Sequence, residues 1–199
     1  VNGLAKLSSC TTSTRLIYDK WVVFDDNVFV SGLTSNSKDP KRFQVPPFTL
    51  TAGHTYQIQL GVTNDPANNF ASVIGQIFVA FGEVVATISG GVSRQNPIDR
   101  ETILDGSSSL DLSFAPNAVD QAGVLTYEWT CIELSATTFG VDCSGLINDV
   151  TAPTITIAAE NGVFVIGDSY EFGLRVSSVF GTARQSSTTT TLKVSGRNT

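Results

Sequence analysis

The chain reads as an all-β protein built from two tandem β-sandwich domains, and three observations predict this. Strand-like runs recur about every ten residues, bounded by Gly, Pro, Asn and Asp, which is the spacing of a sandwich rather than of helices or βαβ units. The wording GHTYQIQLGV at 53–62 returns as GDSYEFGLRV at 167–176, so Gly53 falls on Gly167, Tyr56 on Tyr170, Leu60 on Leu174 and Val62 on Val176. Each pair lies 114 residues apart (167 − 53). Finally, 199 residues divide comfortably into two domains of the usual size, about 100 residues each.

Composition agrees. Hydrophobic residues make up 41% of the chain and charged residues only 15%, and its many Val, Ile, Thr and aromatic residues suit a pleated, half-buried surface. A net charge of −6 argues against a nucleic-acid partner, whose phosphates attract basic faces. The most apolar window, Val73 to Ile88, has sixteen residues and carries Gln76 and Glu83, short of the roughly 18–20 apolar residues of a membrane span. It is expected to be two strands meeting at a domain junction, without membrane contact. No leader is visible at VNGLAKLSSC and the chain has no Met, so it reads as a processed protein or a piece of a longer one.

In the first copy, RLIYDKWVVF around Trp21, FTLTAGHTYQIQLGV and SVIGQIFVAF supply strands. In the second, LTYEWTC sets Leu125, Tyr127, Trp129 and Cys131 on one face and Thr126, Glu128 and Thr130 on the other, as a half-buried strand requires. Thr154 to Gly162, Ser169 to Val176 and Thr188 to Val194 supply three more. Trp21 precedes Tyr56 by 35 residues (56 − 21) and Trp129 precedes Tyr170 by 41 (170 − 129). In sandwiches a central Trp fills the space between sheets, and a Tyr entering a late strand ties it to the preceding corner through its hydroxyl. Trp21, Tyr56, Trp129 and Tyr170 are therefore expected to be framework residues. The domains are placed at 1–84 and 85–199, with the junction near 82–86. Only 20 residues precede Trp21 (21 − 1), against 44 between Val85 and Trp129 (129 − 85), so a first strand of the first domain is missing or supplied from upstream.

Three cysteines allow one bridge and leave one thiol. Cys131 and Cys143 are close enough in sequence to close a short loop between neighbouring strands, a link worth roughly 3 kcal/mol in the loop-entropy account. Cys10 is left over. A stable bridge implies an oxidising compartment, hence a secreted protein or an ectodomain; the alternative is three buried thiols in a reducing one.

The residue types that could carry chemistry also have structural roles. A Ser–His–acid set or a Cys nucleophile needs a positioned base, and the only histidine is His54, in the turn before a framework Tyr. The Cys and His spacing matches no zinc pattern, and no phosphate-loop motif follows Gly90-Gly91. Asp25, Asp26 and Asn27 form an oxygen-rich turn, and Asp105 and Asp111 flank the serines of LDGSSSLD. Either group could contribute oxygens to calcium; the structural alternative for Asp105 is turn capping through side-chain to backbone bonds. No metal, cofactor or catalytic residue is assigned. No N-x-[ST] sequon is present, while the run Ser186 to Thr191 is either an O-glycosylated segment or an edge or half-buried strand.

The order ATISGG, TILDGSSSLD, LTYEWTC with a following Cys143, GDSYEFGLRV and a closing Ser/Thr-rich strand resembles the receptor-for-egg-jelly (REJ) module of polycystin-1-like proteins and sea-urchin sperm receptors. The resemblance is best from Phe48 to Val194. It departs from the related polycystic-kidney-disease (PKD) wording at Thr130-Cys131, where that family has an aspartate and glycine turn, and at Asp111, which no Pro-Asp follows. The resemblance implies immunoglobulin-like, PKD- or fibronectin III-like sandwiches and a non-catalytic extracellular spacer or adhesion module of a larger protein. Neighbouring domains or copies of the parent would be its partners. A different reading is a carbohydrate- or protein-binding module anchored by aromatics in loops, with Phe70, Phe139 and Phe180 as candidates.

Overall fold

The structure, a computed structural model of the chain, describes residues 1–7, 15–65, 68–116, 123–158, 164–181 and 184–197. Cys10 lies outside the described residues, as does most of the second half of the strand expected over Thr154 to Gly162. Two compact units divide the chain, Val1–Phe81 and Gly82–Thr199.

The first unit holds strands β1 (Arg15–Asp25), β2 (Val28–Phe29), β3 (Thr55–Asp65) and β4 (Phe70–Phe78), which form one antiparallel sheet in the order β2-β1-β3-β4. Asp26 and Asn27, both at positive φ, make the two-residue turn between β1 and β2; these short polar residues tolerate the left-handed region that such a hairpin demands. The register sets Trp21 opposite Leu60 and Val23 opposite Ile58. On that face Trp21, Val23, Tyr56, Ile58, Leu60 and Val62 bury together with Phe43. Extended chain covers the core: Gly3 donates to Lys41 O at 2.7 Å and Phe43 to Val1 O at 2.9 Å, while Leu33, Val45 and Leu50 pack against the cluster. Pro40, Pro46 and Pro47 deny this layer ladder donors, so it forms no regular strand.

Two boundaries differ from those expected. The strand anticipated from Phe48 begins only at Thr55, because Phe48 (φ 59°) and Gly53 (φ 86°) sit in the left-handed region. Phe70, expected in a loop, opens β4, since FASVIGQIF continues as an apolar, β-prone run without a breaker at its start.

The second unit is a sandwich. Strands β5 (Val84–Val85), β6 (Ser93–Pro97), β7 (Thr102–Asp105), β8 (Leu110–Asp111), β9 (Leu125–Glu133), β10 (Thr154–Ile157), β11 (Ser169–Ser178) and β12 (Gln185–Ser195) make up its sheets, and Ser144–Leu146 form a single 3-10 turn. One sheet has the order β6-β12-β11-β9; the pairs β10-β7 and β5-β8 form the others. Alternation along the strands drives Trp129, Cys131, Phe172, Leu174, Val176 and Leu192 into one core with Leu104 and Ile157. The threonine-rich run Ser186 to Thr191 lies within β12 and pairs along its length with β11, while β6 reaches only its last residue, Thr191. β6 runs parallel to β12, from Ser93 beside Thr191 to Pro97 beside Ser195.

Candidate functional site

The duplicated wording builds a duplicated corner. Gly53 and Gly167 both take positive φ, 86° and 92°, which a side chain would resist. Gly53 donates to Val79 O at 2.7 Å and Gly167 to Val194 O at 2.9 Å; the next residues, His54 and Asp168, accept through O from the N–H of those same partners. Three residues after each glycine comes the tyrosine. Tyr56 Oη accepts from Thr51 N–H at 3.0 Å and Tyr170 Oη from Val165 N–H at 3.2 Å, five residues back in both cases. Trp129 pairs with Leu174 as Trp21 pairs with Leu60. Each indole Nε1–H donates to a carbonyl, Trp21 to Pro40 O and Trp129 to Ala152 O, both at 2.9 Å.

Cys131 and Cys143 are bridged, with 4.8 Å between their Cα atoms. The bridge staples the hairpin that follows β9: Cys143 N–H donates to Cys131 O, and Glu133 and Val141 add a further rung. Phe139 stands at the tip of this hairpin, 75% exposed.

The polar centre of the second unit was not anticipated. Asp111, fully buried, receives Arg184 Nη1 and Nη2 on its two carboxylate oxygens at 2.7 Å each, and Ser178 Oγ at 2.7 Å. Arg184 also donates to Gly82 O and Ser113 Oγ. Burial alone would push the Asp111 carboxyl up; Arg184, then Ser178 and Ser113, hold it well below the usual carboxylate range. A carboxylate occupied in this way offers no oxygens to a cation. Asp105 accepts from Ser107 N–H and Thr154 Oγ1, both at 2.9 Å, and these bonds keep its carboxyl low.

Asp25, Asp26 and His54 each bring one donor atom within 4.8 Å of one another. His54 Nδ1 lies 2.9 Å from Asp25 Oδ2, and Asn27 Oδ1 instead accepts from Gln57 Nε2. Phe70 and Phe180 are exposed, and Phe180 lies 5.8 Å from the ring of Phe114. Among the described residues no helix is long and apolar enough to cross a membrane.

The chain matches the REJ domain family over residues 5–197. Among solved structures, human CDH23 EC21-23 is similar over 90% of this chain and 58% of its own, at 15% identity and a TM-score of 0.41. Human mucin-like protocadherin EC1-2 is similar over 71% and 68%, at 10% identity and a TM-score of 0.39. The protocadherin GammaB4 extracellular domain is similar over 92% and 28%, at 14% identity and a TM-score of 0.42. The chain thus spans little more than half the length of the CDH23 fragment. No curated protein matches it.

Proposed function

The chain belongs to the REJ domain family, and from that premise we propose that it is a non-catalytic extracellular structural and adhesion module, a spacer or assembly unit in a larger cell-surface or secreted protein. Its two units act as separate domains, and its partners are neighbouring domains or copies of the parent. One observation carries the load-bearing part of this reading: β6 and β12, the first long strand and the last strand of the second unit, run side by side and parallel. Tension applied through the chain pulls the N-terminal end of β6 one way and the C-terminal end of β12 the other. That slides the two strands past each other and loads their ladder bonds together instead of one after another. The Cys131–Cys143 bridge supports an oxidising location.

Single-molecule pulling tests the proposal. With handles at the chain ends the 82–199 unit should resist as a sheared unit, and reduction should release the span between the bridged cysteines, a sequence separation of 12, adding roughly 40 Å of contour at about 3.5 Å per residue. Handles at Val92 and Ser187 peel β6 from β12, and the unfolding force should drop. Equal forces in the two geometries would sink the load-bearing reading.

A second reading has a specific observation behind it. Phe139, exposed at the tip of a disulfide-closed hairpin, has the rigidity and apolar area of a protein- or glycan-binding anchor. Loss of binding on a glycan array after Phe139→Ser, with thermal stability unchanged, is its expected signature.

A further inference from the structure

Strand β4 is a sheet edge: β3 occupies one side of it, and among the described residues no strand pairs with the other. Val79 donates to His54 O and accepts from Gly53 N–H, and Asn69 O accepts from Asn64 N–H, so the odd-numbered residues turn their backbone groups toward β3. Alternation along an antiparallel ladder therefore leaves the N–H and C=O of Phe70, Ser72, Ile74, Gln76 and Phe78 facing outward. Their side chains share the sheet face opposite the Trp21 core, and Phe70, Ile74 and Phe78 are 64%, 57% and 64% exposed.

Free edges are usually blunted by a charge, a proline or a bulge. β4 has none of these. No charged residue occurs from Asn68 to Gly82, and the ladder with β3 runs unbroken from Phe78 beside Thr55 to Phe70 beside Thr63. The strand also reads nearly the same in both directions about Ile74. Reversal exchanges Phe70 with Phe78 and Ser72 with Gln76, and leaves Ile74 in place. On the opposite face it sets Ala71 against Ile77 and Val73 against Gly75, small against large each time.

We infer that β4 is a homophilic docking strand: two copies of this chain pair antiparallel through it, on a two-fold axis at Ile74, and join two four-stranded sheets into one of eight. The five outward residues supply about ten ladder bonds. The pairs that share no hydrogen bonds are the ones whose strands approach most closely, about 4.5 Å between Cα atoms, and these are the small-against-large pairs. A two-fold axis sets residues near it against their own copies, so a charge there would repel itself; an uncharged strand is what self-pairing requires. A charged partner strand would find no counter-charge on β4. One strand pair covers less than the roughly 2,000 Å² or more of obligate interfaces, so the dimer is reversible and depends on concentration. This names the partner for the assembly role proposed above and rests on that reading.

Sedimentation velocity of the 1–199 chain, from micromolar to submillimolar concentration, tests it. The wild type should pass from monomer to dimer. Ile74→Lys and Ile74→Glu, both at an exposed position and both expected to keep the wild-type circular dichroism and melting temperature, should each weaken association about tenfold or more, because like charges then face each other. An equimolar mixture of the two should restore the dimer. A wild type that stays monomeric, variants that associate like it, or a mixture that fails to recover would each overturn the inference, the last two by placing the contact elsewhere. A monomeric wild type that keeps its shear response would remove the strand pairing and leave the spacer reading standing; a dimer that lacks the shear response would do the reverse.

Discussion

Arg184 neutralises a buried carboxylate in the second unit. Asp111 is fully buried, and its ionised form is tolerated there because a guanidinium meets both carboxylate oxygens. Removing one partner of such a pair leaves an uncompensated buried charge, which costs about 3–5 kcal/mol. Arg184→Leu should therefore lower the unfolding free energy of the 82–199 unit by about that amount at pH 7 in urea titrations. The pH dependence follows from the sign of the shift. The folded value is depressed below an unfolded value of about 3.9, so the stabilisation is complete above that value and is lost as pH falls toward the folded one. In Arg184→Leu the carboxyl sits buried without a partner and favours its neutral form, so acid relieves the variant. The gap between wild type and variant should narrow from pH 5 to pH 3. A gap that does not change with pH would mean that Arg184 acts through packing alone.

At the scale of elements, the two corners make a matched pair that separates conformation from space. Alanine at Gly167 would meet nothing within 4 Å, so Gly167→Ala should cost only the left-handed backbone penalty, about 1–2 kcal/mol. Alanine at Gly53 pays the same penalty and also strikes the Phe81 ring, 2.6 Å from the position its Cβ would take. Gly53→Ala should therefore destabilise its own unit more than Gly167→Ala destabilises the other, as read from urea midpoints; equal costs would show that Phe81 moves aside freely. These corners were legible in the sequence because the chain has only 4 Tyr, so two of them recurring three residues after a Gly in otherwise matching wording stand out. β9, β11 and the end of β12 were legible from alternation. β6 was not: SRQNP is polar throughout, and it becomes a strand only because β12 offers it a ladder. The Asp111–Arg184 pair was equally hidden, since the partners stand 73 residues apart and nothing local to either names the other. Phe70 falls just before the strand legible as SVIGQIFVAF, which starts at Ser72, whereas β4 already begins at Phe70, directly after Asn69. Of the oxygen-rich candidates, the turn role of Asp105 could be read from the serines beside it, whereas the occupation of Asp111 could not.

For the whole molecule, the two units share a blueprint but not their reinforcement. The cluster around Trp21 is less than half the size of the one around Trp129 among the described residues. The layer that covers it is extended chain rather than a sheet, and the disulfide and the buried ion pair both belong to the other unit. Hydrophobic stabilisation grows with the apolar area removed from water, so the 1–81 unit should yield first in urea. Each unit contains one tryptophan, which makes the order directly observable. Fluorotryptophan incorporated at Trp21 and Trp129 should give two ¹⁹F resonances, with the Trp21 signal shifting to its unfolded position at lower urea. Reduction of Cys131–Cys143 should then move the Trp129 transition alone, by about 3 kcal/mol on the loop-entropy account, because no bridge constrains the described residues of the first unit. Both resonances unfolding together, or a Trp21 transition that follows the redox state, would mean that the chain folds as one cooperative body and that the duplication is one of sequence rather than of independently stable cores.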